Sequence, residues 1–328
     1  MKTLQWGLLS TARINHAVIG PLQRSQRNAL LGVASRDRAR AEAYAAQESI
    51  PRAYGSYEEM LADPEIDVVY VSLPNGLHAE WAVRAAQAGK HVLCEKPLAV
   101  TLEQVDAIIA AAHENHVVIA EAFMYRHHPQ TLKVQELAQS GQLGKILFVR
   151  GSFGFQLSRE VDVRLETDLD GGSLWDVGCY PVSFARTVLR EEPCEVFGQK
   201  TAGPSGVDIF FTGMMRFPGG ATAQFDSGFR PSYRTTFEVV GDERSVLVNM
   251  PFKPGDSDGI LLKHGKGEEF LPNPPFDLYS GEVEDMAAAV LDGRPQRISL
   301  EDSRANVAAL LALHESARSG KPVQLPAR

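Results

Sequence analysis

The tripeptide Glu95-Lys96-Pro97 follows the apolar run His91-Val92-Leu93-Cys94 and puts a carboxylate, an ammonium and a rigid ring where an extended segment ends. A lysine held beyond a strand end can act as an electrostatic anchor or a proton-transfer group. The proline restricts it further by fixing φ. A surface charge pair ahead of a helix would read the same way. Three other stretches carry residue types suited to a dinucleotide. In Gly7-Leu8-Leu9-Ser10-Thr11-Ala12-Arg13-Ile14, the small residues Gly7, Ser10 and Ala12 suit a turn that admits a pyrophosphate at a helix N-terminus. Two glycines of the usual fingerprint are missing, so an ordinary strand-to-helix turn also fits. In Ala34-Ser35-Arg36-Asp37-Arg38, the Ser35 hydroxyl and the Arg36 guanidinium suit the 2′-phosphate of NADP, whereas Asp37 suits the ribose hydroxyls of NAD. The same arginines could simply open a helix. Leu73-Pro74-Asn75-Gly76-Leu77-His78 is a turn by its Pro-Asn-Gly alone. Asn75 and His78 there could contact a cofactor ribose, and His78 could equally cap or pack.

These stretches need elements to position them, and the pattern supplies strands alternating with helices. Strand-like runs cover residues 4–9, 29–34, 68–73, 91–94 and 117–120, with helix candidates at 37–47 and 77–88 between them. Ser56-Tyr57-Glu58-Glu59 and Thr101-Leu102-Glu103-Gln104 have the spacing of capping boxes. Such alternation implies βαβ units and a doubly wound parallel sheet. After Gly144 the character changes to β runs at 145–155, 194–200, 207–217, 221–228, 235–241 and 245–250, joined by short turns, as in an antiparallel sheet. Helices at 281–291 and 301–319 are expected to cover that sheet. The reading is an α/β chain of two domains, residues 1–122 and 123–328.

Composition narrows the function class. With 328 residues, 44% hydrophobic, the chain is large enough for two cores. A net charge of -8 disfavours nonspecific binding to nucleic acid or an anionic membrane. No apolar run has the length of a membrane span, and the amino terminus enters a strand-like run without a signal-peptide core. Cys94, Cys179 and Cys194 are scattered, which suits a reducing, cytoplasmic setting and offers no metal-ligand spacing. No metal is expected.

Taken in order, the modified glycine turn, Pro74-Asn75-Gly76-Leu77-His78, Glu95-Lys96-Pro97, Ala120-Glu121-Ala122-Phe123-Met124-Tyr125-Arg126 and Gly171-Gly172-Ser173-Leu174-Trp175-Asp176-Val177-Gly178-Cys179-Tyr180-Pro181 resemble the Gfo/Idh/MocA family of NAD(P)-dependent oxidoreductases. The resemblance implies a Rossmann domain followed by an α/β domain on a large, mostly antiparallel open sheet. It implies a cis bond between Lys96 and Pro97, a catalytic Lys96, a sugar or polyol substrate, and a homodimer or homotetramer built through the second sheet. Many members have histidine where this chain has Tyr180. That departure resembles the branch of dihydrodiol dehydrogenases and NADP-dependent D-xylose dehydrogenases, in which tyrosine pairs with lysine.

The resemblance gives the residues roles. A phenol with a pKa near ~10 is a poor base at neutral pH, but a neighbouring ammonium lowers it by roughly one to three units. Lys96 is the expected cation and Tyr180 the acid/base. Asp176, four residues before Tyr180, is expected on the same helix face, orienting substrate or Lys96. Gly7 and Ser10 to Ile14, Ser35, Arg36, Leu73, Pro74, Asn75, His78, Glu95 and Lys96 form the expected cofactor set. Arg126, Phe155, Asp176 and Tyr180 form the substrate set, with Arg164 among other possible walls. His127 and His128 are expected to be structural. Two competing functions remain open: a nucleotide sensor without chemistry, and a sugar–sugar oxidoreductase with a permanently bound cofactor.

Overall fold

A computed structural model of the chain describes residues 2–159 and 161–326. It divides into two units, residues 1–127 with 277–304, and residues 128–276 with 305–328.

The first unit contains β1 (Leu4–Leu9), α1 (Asn15–Arg24), β2 (Asn28–Ala34), α2 (Arg38–Glu48), β3 (Arg52–Tyr54), α3 (Tyr57–Leu61), β4 (Val68–Val71), α4 (His78–Gln87), β5 (His91–Glu95), α5 (Leu102–Glu114) and β6 (Ile119–Ala122). Its six strands are parallel in the order β3-β2-β1-β4-β5-β6. Val68, Val69, Tyr70 and Val71 of β4 are wholly buried, as a central strand covered on both faces must be. The expected caps form: Ser56 accepts from the Glu59 amide and Thr101 from the Gln104 amide. Strand order reverses between β1 and β4, and ligands of doubly wound sheets bind beyond the strand ends at that point.

The second unit contains α6 (Pro129–Gln139), β7 (Ile146–Gly154), α7 (Cys179–Leu189), β8 (Glu195–Ala202), β9 (Asp208–Arg216), β10 (Thr222–Gly228), β11 (Arg234–Gly241), β12 (Arg244–Val248), β13 (Gly259–His264) and β14 (Gly267–Pro272). Then come α8 (Ser280–Asp292), α9 (Leu300–Ser319) and the short β15 (Val323–Gln324). Nine strands form one sheet in the order β14-β13-β12-β11-β7-β10-β9-β8-β15, antiparallel except for the β7–β10 pair. α7 lies on β7 at close range: a Cβ on Gly151 would come within 2.6 Å of Pro181.

One expectation is corrected. The helix at 281–291 does not cover the second sheet. As α8 it joins the first unit, where Val283, Met286 and Ala287 enter the core around Trp6, Leu8 and Val68. The Asn28 amide, which also receives the Trp6 indole N–H, donates to the Val283 carbonyl. Three apolar residues on one stripe of α8 fit either sheet, and only the tertiary structure decides between them.

Candidate active site

In the first unit, the turn after β1 is built on Ser10. Its φ of 135° lies where L side chains rarely go, and its hydroxyl takes up the strain locally. Ser10 Oγ lies 3.0 Å from the Ser72 carbonyl and 2.9 Å from Ser72 Oγ, tying β1 to β4 at the switch point, and accepts the Ala12 amide at 3.1 Å. Thr11, Ala12 and Ile14 are half-buried and Arg13 is exposed. The first turn of α1 itself holds no acidic residue, as a helix end that receives a pyrophosphate would require, although Glu48 of α2 lies 3.5 Å from His16 Nδ1. Gly7 is corrected: it lies inside β1, paired with Gly32 and Val69, and a Cβ there would meet Met60 Sδ at 2.6 Å. Its smallness serves packing against α3, not approach of a phosphate.

At the end of β2, Ser35 is buried and accepts the Asp37 amide at 3.2 Å. The Asp37 carboxylate accepts the Arg40 amide as the cap of α2. Arg38 is held by both carboxylate oxygens of Glu59. Arg36 is exposed beside Tyr57.

Leu73 to Leu77 are half-buried, and a single 3₁₀ turn (Asn75–Leu77) leads into α4. His78 is buried, with Nδ1 at 2.7 Å from the Pro97 carbonyl and Nε2 at 2.7 Å from the Leu73 carbonyl. Both ring nitrogens are thus spent joining two turns, so the ribose contact expected of His78 is not available. Burial first of all pushes its pKa down.

Glu95 and Lys96 are half-buried at the carboxyl end of β5, and the Lys96–Pro97 bond is cis as expected. Glu95 Oε1 accepts the Tyr70 hydroxyl at 2.5 Å, and Oε2 accepts the Lys96 amide at 3.3 Å. Behind it Glu282 of α8 is buried with neither carboxyl oxygen hydrogen-bonded. Burial, then the Glu95 charge, pushes the Glu282 pKa well up. Arg126 is corrected as a substrate contact: it is buried in its own unit, 3.0 Å from the Asp302 carboxylate. His127 and His128 are structural; burial lowers them to about 3 and about 4, and His128 Nδ1 caps α6 by accepting the Gln130 amide.

In the second unit, Leu174–Gly178 forms a π-helical turn directly ahead of α7. Asp176 lies within this π turn and Tyr180 in the first turn of α7. Asp176, 9% exposed, accepts Arg164 Nε at 2.7 Å, and Arg164 also reaches Asp162 at 3.2 Å. The Asp176 charge, first among its causes, raises Arg164 further. Tyr180 is 4% exposed, packed edgewise on Phe153 at 5.2 Å and tilted on Phe252 at 5.3 Å. Phe155, half-buried beyond β7, tilts on Phe229 at 5.6 Å.

Sequence reasoning missed Asp208 and Phe252 here. Asp208 is buried and accepts both Ser173 Oγ at 2.7 Å and the Leu174 amide at 2.8 Å, pinning the start of the π turn. A lone acid in the apolar run Val207-Asp208-Ile209 was its signal. Gly172 has φ 123°, and a Cβ on it would fall 2.3 Å from Asp208 Oδ1. Phe252 is fully buried and stacks on Phe153, but an aromatic past a strand end carries no distinguishing mark. Among the described residues, no three of His, Cys, Asp and Glu gather as a metal would need.

Comparison with known proteins bears on both units. Residues 4–123 match the oxidoreductase family model with an NAD-binding Rossmann fold, and residues 131–247 match the GFO/IDH/MocA C-terminal domain. A D-xylose 1-dehydrogenase (NADP(+)) of Haloferax volcanii is 37% identical over 326 residues, covering 98% of this chain and 100% of that one. A trans-1,2-dihydrobenzene-1,2-diol dehydrogenase of Danio rerio is 32% identical over 326 residues, covering 96% of each. A solved 3-ketoreductase of Actinomadura kijaniata, in complex with NADP and TDP-benzene, superposes with a TM-score of 0.91 at 28% identity, over 96% of this chain and 98% of that one.

Proposed function

The chain belongs to the GFO/IDH/MocA family of NAD-binding oxidoreductases, and on that premise we propose an NADP-dependent dehydrogenase acting on a sugar or cyclic diol. The supporting observation is Lys96, half-buried at the carboxyl end of β5, the strand next to β4 at the switch point between β1 and β4. Ser10 to Ile14 and Leu73 to Asn75 are the residues that would hold the dinucleotide. Arg36 would take the 2′-phosphate, since Asp37 is spent as a helix cap. The NADP named for the xylose dehydrogenase and bound by the 3-ketoreductase agrees with this choice.

When bound, the nicotinamide accepts or donates the hydride. The chain supplies the proton chemistry. Tyr180 packs among Phe153 and Phe252, and a phenol gives up its proton more readily when a cation lies close. In this reading the Lys96 ammonium is that cation. Tyr180 takes the substrate hydroxyl proton as hydride leaves the same carbon, and returns it when a carbonyl is reduced. Asp176, oriented by Arg164, accepts a further substrate hydroxyl.

Incubation with NADP, then NAD, and a panel of aldoses and trans-diols that starts from D-xylose tests the reading. Absorbance at the reduced-nicotinamide band is expected with NADP first. Tight NADP binding with no hydride transfer to any member would favour a sensor instead.

A further inference from the structure

We propose that Glu121 is a positioning residue for Lys96: its carboxylate, through the Leu98 amide, holds the turn that carries the lysine. The proposal rests on the catalytic reading of Lys96 given above. Glu121 lies in β6, paired with Cys94 of β5, and its side chain is buried. Oε1 accepts the Leu98 N–H at 2.9 Å, and Leu98 is the residue after the Lys96–Pro97 bond. Leu98, Ala99 and Val100 are buried behind it, so the segment following Lys96 is anchored by this bond on one side and by His78 at the Pro97 carbonyl on the other. Glu121 Oε2 makes no close hydrogen bond, and the Ser303 hydroxyl is the other donor that favours the charged carboxyl. A buried carboxylate held by so few donors is expensive to keep.

The groups facing it decide how firmly it holds. Burial raises its pKa to about 7, opposed by the Ser303 hydroxyl and the Leu98 amide, assisted by Asp302 and opposed again by Arg126. Cys94 across the strand pair has its thiol pushed well up, by burial first and then by Glu95 and Glu121, so it stays neutral. Above neutrality Glu121 is a carboxylate and receives a charge-assisted bond from Leu98; below it the acid is neutral and the bond weaker. The hold on the Lys96 turn therefore tightens as pH rises through about 7.

Glu121→Gln keeps the acceptor and removes the titration. Hydrogen exchange of the Leu98 amide, corrected for its intrinsic rate, is measured on the full chain at pH 6 and pH 8. Wild type is expected to gain about tenfold in protection on going to pH 8, whereas Glu121→Gln is expected to stay flat. Equal pH responses in the two proteins would overturn the proposal. In parallel, kcat with NADP and D-xylose is followed across the same range for wild type, Glu121→Gln, Lys96→Met and the double variant. A step near neutrality that is present in wild type and absent in Glu121→Gln, with no loss beyond that of Lys96→Met in the double variant, supports positioning through the lysine. If Lys96→Met leaves turnover intact, the catalytic reading fails while the exchange result still judges the anchor. If Lys96→Met is inactive but Glu121→Gln retains the step, only the present inference fails.

Discussion

Asp37 accepts the Arg40 amide, and that one bond turns aside the acid an NAD site would direct at ribose hydroxyls. Arg36 is left exposed at the same strand end, while Arg38 is held by Glu59. Arg36→Ala is therefore expected to raise the KM for NADP by about 10- to 100-fold, the loss of hydrogen bonds to a charged group, with little change for NAD. Equal effects on both cofactors would refute the assignment. Glu121 carries a second consequence at this scale. Its folded pKa, about 7, lies above the ordinary 4.5, so the folded chain keeps a proton that the unfolded chain gives up. Stability from this group is thus present below about pH 4.5 and lost as pH rises towards 7, on the order of 3 kcal/mol in all. Glu121→Gln should raise the melting temperature relative to wild type at pH 8 and hardly at pH 4.5. A constant difference would show that the carboxyl does not titrate in that window. The same carboxylate that would steady Lys96 is a cost to the fold.

Among the elements, the π turn at Leu174–Gly178 depends most on a single side chain. Asp208 fastens it through Ser173 and the Leu174 amide. Asp208→Ala removes the acceptor of the buried Leu174 amide and of Ser173 Oγ, which keeps Ser227 Oγ at 3.1 Å, and should cost about 1–3 kcal/mol in urea unfolding; an unchanged midpoint would mean the turn is held elsewhere. Elements with strong local signals were legible in sequence. The capping boxes at Ser56 and Thr101 formed as spaced, and β1, β2, β4 and β5 were apolar runs of the right length. Elements made by their neighbours were not. β3 has three residues and β15 two, too short for any pattern. The hairpin of β13 and β14 lies at the sheet edge, where Glu268 and Glu269 face solvent and blur the strand signature. The π turn itself has no sequence mark, and the Asp208 contacts at its start are tertiary rather than local. Motif order singled out Lys96, Asp176 and Tyr180, whose roles remain proposals. It could not tell that His78 and Arg126 were already committed to partners in their own unit.

For the whole molecule, two units contribute the proposed chemistry: the first brings the dinucleotide turn and Lys96, the second Asp176 and Tyr180. On strands of the second sheet, Leu147 of β7, Met214 of β9 and Phe270 of β14 are about half exposed, and the homodimer or homotetramer expected from the resemblance would cover such a face. Sedimentation equilibrium should return a mass of two or four chains, and Met214→Arg should reduce it; a monomeric wild type would remove this part of the account. Among the described residues no helix is long and apolar enough to cross a membrane. The central claim is the proposed proton-transfer pair, and Lys96→Met examined beside Tyr180→Phe tests it most directly. Turnover with NADP and the best substrate of the panel is expected to fall by about 10²-fold or more in each variant, while the Kd for NADPH stays within about threefold of wild type. Turnover that survives in Lys96→Met would contradict the account.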